Sequence, residues 1–187
     1  MIGYAFCGSF CTLSASLARL RDLVENGYDV LPIMSRNVRT LDTRFYKAED
    51  FYREVCEITG REPVCTIEDA EPLGPKVKLD ALVICPCTGN TLAKLASGIT
   101  DTPVCMAAKA HLRSDRPLLI ALSSNDALSA NLKNIGTLVE KKNVYFVPMR
   151  QDDPVNKPHS LVAELSLLPR ALSAAREGKQ LPTLFVN

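Results

Sequence analysis

The chain has 187 residues, 47% hydrophobic and 23% charged, with 22 basic against 21 acidic side chains. That length supports one compact domain with a sizeable core, and a net charge of +1 offers no basic face for DNA or RNA, so no nucleic-acid partner is implied. No run of about 18 apolar residues could cross a membrane, the start Met1-Ile2-Gly3-Tyr4-Ala5-Phe6 lacks a secretion signal, and a cytoplasmic location is expected.

Residues 1–7 read as a first strand. Leu13, Leu17, Leu20 and Val24 then recur at helical spacing up to Gly27, with Ser9 as the expected cap. Residues 28–35 form a second strand, and 47–60 a helix with Phe51, Val55 and Ile58 on one face. Residues 61–79, punctuated by Pro63, Pro72, Gly74 and Pro75, are expected as a surface loop. Residues 80–85 (DALVIC) are almost continuously apolar, as in a parallel strand covered on both faces.

A helix over 103–114, opened by Pro103, leads to another covered strand at 117–123. Residues 125–142 read as a helix weakened at Gly136, 143–147 as a fifth strand, and 160–177 as a closing helix kinked at Pro169. Strands alternating with helices predict an α/β fold: one doubly wound, Rossmann-like or flavodoxin-like three-layer sandwich with a mostly parallel sheet over 1–187. The loops after the first four strands then gather at one edge, where a ligand should sit.

Seven cysteines, an odd number, argue for reduced thiols rather than a disulfide framework. Cys85-Pro86-Cys87 and Cys7-x-x-x-Cys11 lack the usual spacing of zinc ligands, so no metal is expected. His111 and His159 have no triad-like neighbours and read as structural or surface residues, while Lys94 and Lys109 read as solvent-facing.

The segment after the third strand carries the chemistry. Thr88, Gly89, Asn90 and Thr91 open a helix whose free N–H groups and dipole suit an anion, with a phosphate as the obvious guest. The first turn, Cys7-Gly8-Ser9-Phe10-Cys11-Thr12, is not G-x-G-x-x-G, and no P-loop occurs. A dinucleotide is therefore disfavoured and a mononucleotide remains, with Gly8, Ser9, Ser35 and residues 88–91 at the strand ends. Each of these also has a bland reading as a cap or turn residue.

The run from Thr88 through Lys94-Leu95-Ala96-Ser97-Gly98-Ile99-Thr100-Asp101 resembles the flavin-binding signature of the flavoproteins that include phosphopantothenoylcysteine decarboxylase and the flavin prenyltransferases. Cys7-Gly8-Ser9 resembles their first phosphate-side loop. Within that family, a resemblance covering nearly the whole chain is to the B chains of dipicolinate synthases of spore-forming bacteria. It is carried by Thr43-Arg44-Phe45, Glu71-Pro72-Leu73-Gly74-Pro75-Lys76, Ser124-Asn125-Asp126-Ala127-Leu128, Gln151-Asp152-Asp153 and Lys157-Pro158.

The resemblance implies an oxidoreductase component that acts with a separate A chain, during sporulation, to oxidise dihydrodipicolinate to dipicolinate (pyridine-2,6-dicarboxylate). Side chains cannot accept a hydride, so FMN on this chain, NAD or NADP on the partner, or both, must do so. Gly8, Ser9 and Phe10 would lie beside the flavin or its ribityl chain, Ser35 near the phosphate or ribityl hydroxyls, and Thr88, Gly89, Asn90 and Thr91 around the phosphate. Ser124 and Asn125 are also expected at the cofactor, standing where the prenyltransferases carry an Arg-Glu pair, and residues 47–79 contain no histidine of the kind the decarboxylases use. Both departures disfavour a decarboxylase-like or prenyl-transferring enzyme. A non-catalytic partner that stabilises or regulates the A chain stays open as the alternative.

A dicarboxylate substrate calls for cations that grip carboxylates, and Arg39 and Arg44 beside the expected cofactor edge are the candidates for that clamp. Homo-oligomers are expected by the same resemblance; the Ala- and Leu-rich face at 161–175 suits such an interface and packing in the chain's own core equally well.

Overall fold

The computed structural model describes residues 1–186. Strand β1 (Ile2–Phe6) is second from one edge of the sheet, with β2 (Val30–Met34) as that edge and β3 (Ala81–Cys87) on its inner side. Next to β3 lies β4 (Leu118–Ser124), which pairs with β5 (Val144–Phe146), and every one of these pairings is parallel. Two short strands, β6 (Met149–Arg150) and β7 (Leu161–Ala163), extend the sheet antiparallel, β7 pairing with the last two residues of β4. The expected flavodoxin-like architecture is the one observed.

Alternation along the strands divides the core in two, because successive side chains point to opposite faces. Tyr4, Phe6, Val83, Cys85, Leu119 and Ala121 pack against α1 (Leu13–Glu25), α3 (Ala48–Thr59) and α8 (Leu168–Arg176). Ala5, Ile33, Leu82, Ile84 and Ile120 pack on the other face against α4 (Ile67–Ala70), α5 (Gly89–Ser97), α6 (Pro103–Leu112) and α7 (Leu132–Val139). The short α2 (Arg36–Thr40) follows β2 directly.

Several expectations are corrected. Residues 61–79 are not all loop: the Thr66 hydroxyl caps α4 by accepting the Asp69 N–H at 3.1 Å, and Val64 bridges to Ile33 of β2. Residues 125–131 form turns, so the helix expected from 125 begins only at Leu132, and Gly136 leaves it unbroken. The closing helix is shorter too. Its first residues form β7, and Pro169 sits in the first turn of α8, where a missing N–H costs no helical bond, so it starts the helix rather than kinking it. Leu168, Ala171, Leu172 and Ala175 are buried in the chain's own core, so core packing is what this face serves. Ser9 caps nothing. A 3-10 turn at Phe10–Thr12 separates it from α1, and its hydroxyl turns elsewhere.

His111 on α6 is buried, with Nε2 2.9 Å from the Pro117 carbonyl and no partner for Nδ1. The ring is therefore a neutral Nε2–H donor, and burial pushes its pKa below the usual imidazole value. The unfolded chain then binds a proton that the folded chain resists, so stability is full above about pH 6.5 and falls below it. Denaturant unfolding at about pH 7.5 and about pH 5.5 should give a lower midpoint at the acid value, and His111→Gln should remove most of that difference. Equal midpoints in the parent chain would refute this. Among the described residues, no helix is long and apolar enough to cross a membrane.

Candidate functional site

The chain leaves β1 toward β2 and leaves β3 toward β4, so the two connections part and open a crevice between the carboxyl ends of adjacent strands. Its walls are Cys7-Gly8-Ser9 and the start of α5. The Cys7 N–H donates to the Pro86 carbonyl at 3.1 Å, and the Thr91 hydroxyl donates to Cys7 Sγ at 3.3 Å. Burial pushes the Cys7 thiol up to about 12, so it is a neutral packing group and not a nucleophile.

Thr88 is the N-cap of α5, its hydroxyl accepting the Thr91 N–H at 3.2 Å. This corrects the bland reading of Asn90 as the cap. Asn90 is exposed, and its N–H and that of Gly89 have no partner among the described residues. They are orphan donors of the first turn, at the positive end of the helix.

Two cavities meet at this point, sharing Gly8 and Thr88. The larger, about 690 Å³, is lined by Ser35, Arg36, Asn37, Asn90, Thr91, Lys94 and Asp101 among others. The second, about 440 Å³, is lined by Ser9, Phe10, Phe45, Gly89, Ser123, Ser124, Asn125, Asp126 and Lys157 among others. All ten residues expected at the cofactor therefore come to one crevice: Ser35, Asn90 and Thr91 on one side, Ser9, Phe10, Gly89, Ser124 and Asn125 on the other, and Gly8 and Thr88 between.

Hydrogen bonds organise the second cavity. Ser9 Oγ and Thr12 Oγ1 each lie 2.9 Å from Ser123 Oγ and 3.2 Å from one another, joining the first loop to the end of β4. Asp126 accepts from the Ser124 hydroxyl at 2.5 Å and from Asn131 Nδ2 at 3.0 Å, and these bonds, Ser124 first, hold its carboxyl below the usual range. A Cβ on Gly89 would lie 2.4 Å from Ser124 Oγ and 2.8 Å from Asp126 Oδ1, so the helix start packs directly on this knot.

The charges fall differently from expectation. Lys94 is not solvent-directed; it lines the larger cavity and grips both Asp101 oxygens at 2.7 and 2.8 Å, which lowers the Asp101 pKa. Arg36 lines the same cavity and has no ion-pair partner among the described residues. Lys157, in the second cavity, pairs with Asp152 at 2.9 Å. Arg39 and Arg44 line neither cavity. Arg39 bonds Glu49 at 3.0 Å and stacks 4.2 Å above Tyr52, whereas Arg44 stacks 4.8 Å from Phe45, which does line the second cavity.

Sequence reasoning missed Arg36, Asp126 and Lys157. Arg36 could have been found as the cation next to Ser35 at a strand end, whereas Asp126 and Lys157 stand in segments that carry the resemblance without any pattern that marks them as lining a site. Among the described residues, no group of three or more His, Cys, Asp or Glu could hold a metal.

The Flavoprotein family model matches residues 2–164. The B chain of dipicolinate synthase from Bacillus subtilis (strain 168) is 43% identical over 186 residues, covering 100% of this chain and 93% of the relative. The crystal structure of the dipicolinate synthase B chain from Bacillus halodurans matches with a TM-score of 0.91 at 41% identity, over 100% of this chain and 95% of that one. The FMN-dependent cysteine decarboxylase SpaF shares the fold, with a TM-score of 0.68 at 24% identity over 93% and 95% of the two chains. With its switch-point crevice, a family match over most of its length and full-length similarity to dipicolinate synthase B chains, this chain belongs to the Flavoprotein family.

Proposed function

We propose that this chain is the flavin-carrying component of a dipicolinate synthase, acting in the cytoplasm of a sporulating cell as a homo-oligomer with a separate A chain. The reading rests on one observation above the rest: ten uncharged cofactor candidates from four separated segments line one crevice between β1 and β3. In a flavodoxin-like strand order ligands bind at this switch point, which supports a mononucleotide there.

The donor set fits FMN. Two orphan N–H groups, the Thr88 and Ser35 hydroxyls and the unpaired Arg36 guanidinium suit a phosphate, while Gly8, Ser9, Phe10, Ser124 and Asn125 suit the ribityl chain and ring. Bound flavin would supply the two-electron acceptor that aromatisation of dihydrodipicolinate requires; NAD or NADP on the A chain would be the onward or alternative acceptor. The chain's own part is to bind, orient and exclude water. Lys157, which lines the second cavity, and Arg44, which stacks on its lining residue Phe45, would meet the substrate carboxylates.

Flavin fluorescence titration should show FMN binding. Arg36→Gln should weaken it by about tenfold, the loss of one charge-assisted contact. Pyridine dicarboxylate should form only when this chain and the A chain are mixed, and Arg44→Ala should slow that turnover. A purified chain that stays without a flavin spectrum after incubation with FMN would shift the function to the non-catalytic companion of the A chain.

A further inference from the structure

On the far side of the α5–α6 connection, away from the crevice, lies a cavity of about 400 Å³ with no acidic residue in its lining. Leu95, Ile99 and Leu112 give it apolar walls, and Lys109, Arg113 and Lys141 surround them. None of the three cations has an ion-pair partner among the described residues; Lys141 reaches only the Leu95 carbonyl, at 3.4 Å. Ile99 stays 48% exposed, a large apolar side chain left facing the opening.

Helix dipoles explain part of this arrangement. Lys109 and Arg113 stand at the end of α6 and Lys141 follows α7, where cations offset partial negative charge. Three full charges nevertheless exceed the roughly half charge that each helix end presents, and they come from two separate elements to one apolar cavity. The surplus is positive, it is not paired, and its floor is greasy.

We propose that this cavity is a second ligand site that takes a small aromatic carboxylate, with the ring against Leu95, Ile99 and Leu112 and the carboxylates at Lys109, Arg113 and Lys141. Apolar walls with a few converging polar groups are the usual makeup of a small-molecule site, and the cations select the anion. The site is independent of the flavin reading. It is nonetheless one short connection away, since Ile99 and Thr100 line this cavity while Asp101 and Thr102 line the crevice.

The test is calorimetric titration of the full chain with isophthalate (benzene-1,3-dicarboxylate), and with acetate as a carboxylate lacking the ring. All titrations are made in an Arg44→Ala/Lys157→Gln background, so that the crevice offers no carboxylate clamp; saturable isophthalate binding at one site is then expected, at least tenfold tighter than acetate. The Lys109→Gln/Arg113→Gln double variant should weaken it at least tenfold, whereas Arg36→Gln should leave it unchanged. Circular dichroism of the double variant reports separately on folding, and should match the parent. No saturation, equal affinity for acetate, or isophthalate binding that survives the double variant would each overturn the proposal.

Discussion

A Gly89→Ala chain is expected to lose flavin affinity by roughly fivefold to 150-fold, the factor to which about 1–3 kcal/mol of overpacking corresponds if it falls on the bound state. The added Cβ would fall 2.4 Å from Ser124 Oγ, 2.6 Å from Asn131 Nδ2 and 2.8 Å from Asp126 Oδ1. None of these can retreat freely. Ser124 and Asn131 are both hydrogen-bonded to Asp126, so pushing one loosens the turn that carries Asn125. Either α5 shifts, which displaces the Thr88 cap and the orphan N–H groups, or the knot opens and the second cavity changes shape. Fluorescence titration with FMN measures the loss, and circular dichroism confirms that the fold remains. Affinity within twofold of the parent would sink the idea that α5 is registered on this knot.

Gly74→Ala should instead strike stability. Gly74 has φ +122°, and a Cβ there would sit 2.2 Å from the Ala110 carbonyl oxygen and 2.8 Å from its carbon. Both are backbone atoms of α6, so relief requires moving the helix or the 72–77 turn. That turn is itself tied by the Gly74 N–H donating to the Val77 carbonyl at 2.7 Å. With an unfavourable φ added to the clash, the cost should reach roughly 3 kcal/mol or more. For a chain of this size that lowers Tm by about 6–12 °C. Calorimetry of the two proteins settles it, and a Tm within about 2 °C of the parent would show that the turn yields cheaply.

Much of the crevice was legible because its signals are local. Thr88, Gly89, Asn90 and Thr91 announce a helix start after an apolar strand, and Gly8-Ser9 follows another strand in the same way. Short elements were not legible: β7 has three residues and α4 four, too few for periodicity to register, and both exist through distant partners in β4, β6 and α6. The arginines show the same limit. Arg36, Arg39 and Arg44 share one stretch of sequence, yet Glu49 and Tyr52 on α3 take Arg39 while Arg36 lines the crevice.

The layered α/β architecture, the buried parallel strands and the chemical type of the first and third strand ends are all written in local patterns of the chain. These follow from hydrophobic period and capping residues, which act over a few neighbours. Long-range packing settles which of the crevice arginines is left unpaired, that Gly89 abuts the Ser124–Asp126–Asn131 knot, and that two cavities join at Gly8 and Thr88. Pairing and close contact are properties of residues tens of positions apart, and no local pattern encodes which of several similar side chains meets a given partner.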